Sequence, residues 1–295
     1  MIVVKLRGGI GNQLFQYAAG RRMALVNDVE LKLDISYYEI VNNRSYKLNY
    51  FNVIETMASH KEINRFYAKS SFLKRIFGRR KGRSKDFSDK VITDRLFEVN
   101  SQLFEPVKDA FLDGYWGDEI YFRDIEDQIR KEFEFRVHFP DGYHEWNNAI
   151  QSVNSVSVHV RRADYQLPAH QRIFRLLDES YYERAIEFIR RSVNRPVFFV
   201  FSDEIKMVKE MGCFQKSNVT FIEDDRINED YIEFALMRKC KHNIVANSTF
   251  SWWSAWLNQN REKVVIAPER WYTDERFQSA YGVSILRTNQ NWIKL

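Results

Sequence analysis

The second half of the chain alternates short apolar runs with amphipathic stretches, which is typical of a parallel sheet covered by helices. The apolar runs predict strands at Val153–Val160, Pro196–Phe201, Thr220–Ile222, Ile244–Ala246 and Val264–Ala267. Apolar positions at helical spacing predict helices over Ser180–Arg191, Ile205–Met211 and Glu229–Arg238, with another from Asn247 through Leu257. This half therefore predicts a Rossmann-like domain.

The first half opens with the same alternation. A strand at Ile2–Leu6, a glycine-rich turn, a helix over Gln13–Val26 and a strand at Val29–Leu33 form a βαβ unit. The pattern is weaker from 37 to 107, where 61–67 is helix-like, and it returns with a strand at 111–115 and a helix over 120–133. The Pro-Asp-Gly run within Phe139–Gln151 indicates a boundary. We therefore predict two facing Rossmann-like domains, 1–150 and 151–295.

Composition narrows the class of protein. The chain has 295 residues, 44% of them hydrophobic and 15% aromatic, which is enough for two packed domains. No apolar run reaches the length of a membrane span, and the start MIVVKLRGG lacks the apolar region of a signal peptide. Two cysteines, Cys213 and Cys240, are expected to be free buried thiols. We expect a cytoplasmic protein.

The formal net charge of +5 is concentrated in one basic segment, residues 74–85, which reads KRIFGRRKGRSK. Such a segment can bind anionic lipid headgroups, which would make the protein peripheral to the inner face of the membrane. The alternative is a solvated loop. No nucleic-acid-binding motif accompanies the segment, so we expect no nucleic-acid partner.

Three predicted strands of the second half end in polar clusters: HVRRAD at 159–164, FSDE at 201–204 and NST at 247–249. Ligands of open parallel sheets bind beyond the carboxyl ends of the strands. In the run SVHVRRADY the valines share one face, so His159 and Arg161 lie on the other. Three clusters at one end of one sheet indicate a binding site.

The residue types in these clusters suit a nucleoside diphosphate. Arg161 offers a fixed fork of donors for a phosphate oxygen. Asn247, Ser248 and Thr249 begin a helix, whose N-terminus attracts anions, although these are also ordinary capping residues. Asp203 either caps the following helix or accepts two N–H donors from a guanine edge. Both interpretations of each feature remain open at this point.

Three other features have alternative interpretations. The turn RGGIGNQLF resembles a dinucleotide-binding loop, but its third glycine position holds Leu14, and Asn12 and Gln13 place amides where phosphate needs close approach. The acidic run 223–225 resembles a metal site, but acids that precede a helix are commoner. The aromatic run 250–257 could stack on sugars, but its helical spacing favours core packing.

The blocks RGGIGNQLFQYAAG, HVRRADY, FSDE and ANSTFSWWSAWL followed by VIAPERW resemble the α-1,2-fucosyltransferases of glycosyltransferase family 11. The blocks occur in the family's order and extend from Lys5 to Trp271. The resemblance implies a GT-B fold, with a cleft between two Rossmann-like domains and the donor GDP-fucose bound mostly by the C-terminal one. It also implies inversion at the anomeric carbon without a required metal or other cofactor.

The resemblance also assigns roles to residues. It implies that Arg161 holds the donor β-phosphate in a cluster with His159, Arg162 and Asp164, and that Asp203 contacts guanine or ribose. The remaining donor-site residues that it implies are Asn247, Ser248 and Thr249 along the diphosphate and Asn12 on the other domain. Ala163 and Glu204 depart from the family, which usually has Gly at the first position and often Asp at the second.

The mechanism that the resemblance implies needs a group that stabilises departing GDP and a base that deprotonates the acceptor. Arg161 fits the first role. Asp164, which belongs to the motif, is the first candidate for the base, and His170, a little downstream, is the alternative. The family's usual acceptor is the 2-hydroxyl of a galactoside, within an oligosaccharide or a lipid-linked precursor.

A second interpretation is a sugar-nucleotide or carbohydrate-binding module of the same fold that has lost catalysis. The presence of both Arg161 and Asp164 favours the enzyme. The two interpretations differ in whether bound GDP-fucose is turned over.

Overall fold

The computed structural model describes residues 1–67, 90–94, 99–166, 168–215, 218–279 and 291–295. The basic segment 74–85 lies outside these residues. The chain divides into two compact units, Met1–Arg136 and Val137–Leu295.

Within the described residues of the first unit, four parallel strands form a sheet in the order β2-β1-β4-β3. The strands are β1 (Ile2–Lys5), β2 (Leu31–Asp34), β3 (Lys90–Thr93) and β4 (Ala110–Asp113). The α-helices are α1 (Ile10–Val26), α2 (Tyr37–Ile40), α3 (60–67) and α4 (Glu126–Glu132). The sequence did not predict β3. It predicted a single helix over 120–133, where 3₁₀ turns at Glu119–Tyr121 and Arg123–Ile125 precede α4.

Helix α1 is buried on nearly all sides. The hydroxyl of Tyr17 donates to Glu132 Oε2 at 2.6 Å, and Arg21 Nε donates to Glu132 Oε1 at 2.8 Å. Burial together with the charge of Glu132 raises the pKa of Tyr17. These contacts connect α1 to the end of α4. Breaking them would leave the buried charge of Glu132 unpaired, which is costly.

Within the described residues of the second unit, six parallel strands form a sheet in the order β10-β9-β8-β5-β6-β7. The strands are β5 (Asn154–Val160), β6 (Pro196–Ser202), β7 (Val219–Phe221), β8 (His242–Ile244), β9 (Val265–Ala267) and β10 (Ile293–Lys294). The helices are α5 (Asp141–Gln151), α6 (Pro168–Gln171), α7 (Glu179–Ser192), α8 (Ile205–Lys209), α9 (Asp230–Lys239), α10 (Thr249–Leu257) and α11 (Glu275–Phe277). With β5 as the first strand this is the Rossmann order, in agreement with the Rossmann-like domain that the sequence predicted, although the sequence did not predict β10.

The division between the units falls before α5, whereas the predicted domain boundary fell at its end. Trp146 Nε1 donates to Asp224 Oδ2 at 3.0 Å, and Arg226 Nη1 donates to Glu145 Oε1 at 3.0 Å. These bonds join α5 to the loop after β7, so this helix belongs to the second unit.

The two faces of the second sheet differ in chemistry. Val156, Val158 and Val160 are fully buried against α7. On the opposite face, His159 contacts Phe250 of α10, and the amide of Asn243 in β8 donates to the carbonyl of Met237 in α9. The three tryptophans of α10 are fully buried, which confirms core packing for the aromatic run. Among the helices of the described residues, none has the length and hydropathy needed to cross a bilayer.

Candidate active site

The three polar clusters of the second half lie at one edge of its sheet. Strand β5 pairs with β6 on one side and with β8 on the other, and Val160 lies opposite Ser202 while Val158 lies opposite Ile244. The residues that follow these strands, Arg161, Asp203 and Asn247, therefore emerge from neighbouring carboxyl ends. The three polar clusters therefore lie at the same end of one sheet, as the strand pattern predicted.

The edge between β5 and β8 is the topological switch point of the sheet. After β5 the chain continues to β6 on one side, and α9 later carries it to β8 on the other. Ligands of doubly wound folds bind in the crevice at such a point. Helix α10 begins just after β8, and its N-cap residue Ser248 forms no side-chain capping bond. The positive end of the helix dipole therefore lies at the switch point.

Arg161 and Asp203 form an ion pair at this edge. Arg161 Nη1 lies 2.7 Å from Asp203 Oδ2, and the two side chains are 22% and 21% exposed. Asp203 Oδ1 also accepts the backbone N–H of Arg162 at 2.8 Å and that of Ala163 at 3.4 Å. Both carboxylate oxygens of Asp203 are thus engaged in holding the loop after β5.

The side chain of Arg162 points away from this edge. It is 7% exposed, and its Nη1 donates to the carbonyl of Leu177 at 2.7 Å, while its Nη2 contacts Met211 Sδ at 3.6 Å. These partners lie on the valine face of the sheet. Its backbone N–H, rather than its guanidinium, takes part in the site.

His159 is a neutral group in this structure. It is 6% exposed, its ring lies 5.6 Å from that of Phe250, and its Nδ1 has no hydrogen-bond partner among the described residues. Burial, with a smaller effect from the charge of Arg161, lowers the pKa of His159 to about 3. The imidazole therefore offers hydrogen bonding to a ligand, and no positive charge, at neutral pH.

Glu233 is an ionisable residue at this edge that sequence reasoning missed. It lies in the first turn of α9 and is half-buried. Burial, followed by the charges of Asp230 and Asp203, raises the pKa of Glu233 to about 7. Perturbed carboxylates of this kind are common at binding sites. The sequence showed only an acid at a helix start, which the helix dipole already explains.

Tyr165 joins the loop after β5 to the loop after β8. Its hydroxyl donates to the carbonyl of Asn247 at 2.9 Å, and its ring stacks on Phe174 at 4.9 Å. Asn247 is itself 2% exposed, and its amide donates to the carbonyls of Arg175 at 2.6 Å and Trp271 at 2.8 Å. The amide group of Asn247 therefore holds loops together, and the rest of this cluster, Ser248 and Thr249, forms the start of α10.

Comparison with known proteins identifies the family. The model of glycosyl transferase family 11 matches residues 1–294. An alpha-1,2-colitosyltransferase of Escherichia coli is 33% identical over 296 residues, which cover 95% of this chain and 95% of that protein. The chain belongs to glycosyltransferase family 11. The human galactoside alpha-(1,2)-fucosyltransferase 1 is 28% identical over 173 residues, 55% of this chain and 47% of its own length.

A solved structure supports the fold of this family 11 protein. A mutant FUT1 of Arabidopsis thaliana in complex with GDP has a TM-score of 0.50 and 10% identity, covering 90% of this chain and 69% of that one. At this identity the likeness concerns the fold alone.

The two base candidates of this family 11 chain differ in what the structure says of them. Asp164 lies in the 3₁₀ turn Ala163–Gln166, but its side chain is outside the described part of the chain. His170 lies in α6, with its ring 6.3 Å from Phe174, which in turn stacks on Tyr165. His170 is therefore linked to the switch-point loops through aromatic contacts.

The glycine-rich turn of the family 11 chain is held by its amides. Gln13 is fully buried, and its Nε2 donates to the carbonyls of Gly8 at 3.1 Å and Ser45 at 2.9 Å. Gly8 has a φ of +79°, and a Cβ there would lie 2.6 Å from Nδ2 of Asn12. Asn12 lies in the first turn of α1, in the first unit. The glycine-rich turn is therefore organised by the side-chain amides of Asn12 and Gln13 and is not shaped for a dinucleotide.

The acidic run at 223–225 is engaged in local contacts. Asp224 Oδ2 lies 2.7 Å from Arg226 Nη2, and this pairing lowers the pKa of Asp224. Among the residues that the structure describes, no three His, Cys, Asp or Glu side chains are grouped so as to hold a metal ion.

Proposed function

We propose that the chain is a GT-B-type α-1,2-fucosyltransferase that transfers L-fucose from GDP-β-L-fucose to the 2-hydroxyl of a galactoside, with inversion. The observation that carries the proposal is Arg161 at the switch point of a Rossmann-ordered sheet, beside the N-terminus of α10, in a member of family 11. In this proposal the second unit binds the donor and the first unit binds the acceptor.

The donor diphosphate interacts with Arg161 and the start of α10. GDP leaves with additional negative charge on its β-phosphate, so a guanidinium and a helix N-terminus placed there stabilise the transition state more than the ground state. Asp203 pairs with Nη1 of the Arg161 guanidinium at 2.7 Å, and the planar fork of N–H donors in a guanidinium suits phosphate oxygens. These groups do the work that a divalent cation does in other transferases.

The guanine edge is read by Glu233 in this proposal, rather than by Asp203. Guanine presents two neighbouring N–H donors, which an ionised carboxylate can accept together. Both oxygens of Asp203 already have protein partners, whereas Glu233 is a half-buried carboxyl group in the field of Asp203. The neutral imidazole of His159 supplies a further hydrogen-bonding group that does not add charge.

Glu233→Gln is expected to weaken GDP binding about tenfold, because an amide cannot accept both guanine donors. Since Glu233 must be ionised to bind and its pKa is about 7, the GDP affinity of the unaltered protein should rise as pH increases through 7 and then level off. Calorimetric titration with GDP and IDP from pH 6 to 8.5 measures both effects.

The matched control is Glu183→Gln, an exposed acid on α7. It should leave both the GDP affinity and its pH dependence unchanged. IDP lacks the 2-amino donor, so Glu233→Gln should bind GDP and IDP with similar affinity. An unchanged pH profile in Glu233→Gln would assign guanine recognition to another group.

Colitose is the second candidate for the transferred sugar. The similar Escherichia coli protein is described as an alpha-1,2-colitosyltransferase, and colitose is L-fucose without its 3-hydroxyl. The two donors therefore differ at one hydroxyl and share the GDP moiety. Both donors would therefore use the same GDP-binding groups: Arg161, Glu233 and the start of α10.

Incubation of the purified protein with GDP-fucose or GDP-colitose and a panel of β-galactosides tests the function. We expect GDP release with GDP-fucose, an α-1,2 linkage by NMR of the product, and full activity in EDTA. Preference for GDP-colitose would shift the donor assignment. If the protein binds GDP-fucose but releases no GDP with any of the galactosides, the catalytically inactive binding module would be favoured.

A further inference from the structure

The carboxyl edge of the first sheet carries a second polar cluster, which the donor site does not use. Strands β1 and β4 are neighbours there. Arg7 Nη1 lies 3.0 Å from Asp113 Oδ1, and Lys5 Nζ lies 3.5 Å from Asp113 Oδ2. The side chains of Arg7 and Asp113 are 26% and 22% exposed, so this ion pair is accessible from solvent.

Tyr115 extends from the turn after β4 beside this ion pair. The residue is 46% exposed, and the guanidinium carbon of Arg7 lies 4.5 Å from its ring centroid. An exposed aromatic ring held by a cation on one side is a rigid apolar surface with charged groups at its border.

The turn that presents Tyr115 is closely determined by its neighbours. Trp116 is fully buried with a φ of +54°, which a bulky residue rarely adopts. Asp94 Oδ2 accepts the N–H of Tyr115 at 3.0 Å and that of Trp116 at 3.3 Å. A Cβ on Gly114 would lie 2.7 Å from the Trp116 ring. Left-handed backbone at a bulky residue persists where the surroundings enforce it, often at binding sites.

A second tyrosine borders the same cluster. Tyr67 is 41% exposed, and its ring packs at 5.3 Å against Phe111 of β4. Burial, followed by the charges of Asp113 and Asp34, raises the pKa of Tyr67 to about 12. Its hydroxyl is therefore a neutral donor or acceptor at the border of the ion pair.

The charges of this edge nearly cancel. Lys5 and Arg7 contribute two positive charges, and Asp34, Asp94 and Asp113 contribute three negative ones, so the cluster disfavours an anionic ligand. A neutral saccharide fits it: the apolar face of a hexose packs on an aromatic ring, while its hydroxyls bond to paired charged groups. We propose that Tyr115, Arg7 and Asp113, with Tyr67, form the subsite for a neutral acceptor saccharide, an inference that rests on the proposed transferase function.

Tyr115→Ala is the test. It is expected to raise the KM for lactose about tenfold in transfer from GDP-fucose, while the KM for GDP-fucose changes less than twofold. Tyr115→Phe keeps the ring and should stay close to the unaltered protein. The matched control is Phe104→Ala, which removes another exposed ring, 4.9 Å from the guanidinium of Arg22, and should leave the lactose KM unchanged.

Saturation-transfer NMR with lactose and no donor supplies a readout independent of turnover. Contact in the unaltered protein and in Phe104→Ala, but not in Tyr115→Ala, supports the subsite. A folded Tyr115→Ala with an unchanged lactose KM, or with lactose contact retained, overturns it. If the proposed function is wrong, no variant turns over GDP-fucose. The NMR comparison then still decides whether Tyr115 binds saccharide.

Discussion

Arg161→Ala is expected to lower kcat for fucosyl transfer about 100- to 1000-fold at saturating GDP-fucose. The guanidinium lies at the switch point and pairs with Asp203 at 2.7 Å. In the proposed reaction the charge of departing GDP develops beside it. Because the interaction strengthens as the bond to fucose breaks, its loss should affect kcat more than the binding of GDP. Steady-state kinetics with a β-galactoside, together with calorimetric titration of GDP, separates the two effects.

Arg161→Lys is the matched variant, since it keeps the charge but loses the planar fork of donors. It should recover only part of the lost rate, because one ammonium group cannot bond to Asp203 and to phosphate in the same geometry. Near-normal turnover of Arg161→Ala would contradict this role for Arg161. A loss of affinity for GDP and GDP-fucose with kcat unchanged would show that Arg161 contributes uniform binding instead.

The strand pattern predicted the second unit better than the first. Strands β5, β6, β7 and β9 lie at the apolar runs that predicted them, whereas β8 (His242–Ile244) begins two residues before the predicted run Ile244–Ala246. The boundary was not readable from sequence, because Pro140-Asp141-Gly142 has the composition of a turn, yet Pro140 is the N-cap of α5. A proline just before a helix costs no hydrogen bond, so the same letters suit a turn or a helix start.

The alternation of side chains along β5 predicted which residues face the site better than the motif HVRRADY did. His159 and Arg161 lie opposite the valines, as the alternation predicts. The same alternation places Arg162 on the valine face, where its guanidinium donates to the carbonyl of Leu177. The motif grouped both arginines as phosphate ligands, but residues that follow each other in a strand point to opposite faces.

Glu233 and the partners of Asp203 could not be read from sequence, because they depend on how distant elements meet. Glu233 comes from α9, whose crossover to β8 sets its distance from Asp203. The carboxylate of Asp203 accepts the backbone N–H of Arg162, 41 residues earlier in the chain, at 2.8 Å. A single sequence carries no signal for such contacts.

Asp203→Ala is expected to lower kcat about 30- to 100-fold, because it removes the partner of Arg161 and the acceptor of the Arg162 N–H together. Asp203→Asn keeps an oxygen for that N–H but turns an amide NH2, which is only a donor, toward the guanidinium, so it should recover only part of the lost kcat while GDP affinity stays close to that of the unaltered protein. If Asp203 instead read the guanine edge, both variants would lose affinity for GDP and for GDP-fucose, because neither side chain can accept two N–H donors from the base. Steady-state kinetics of the two variants, with thermal melting as the check on folding, distinguishes the roles.

A double-mutant cycle of Asp203→Ala with Arg161→Ala completes the argument. If Asp203 acts through Arg161, its removal should cost little once Arg161 is absent, so the two losses in kcat should fall far short of additive. A direct contact of Asp203 with the nucleoside predicts additive losses and a lower GDP affinity in both backgrounds. Calorimetric titration of GDP with the double variant therefore distinguishes a residue that positions Arg161 from a residue that recognises the base. Because both oxygens of Asp203 already accept hydrogen bonds from the protein, we expect Asp203 to position Arg161.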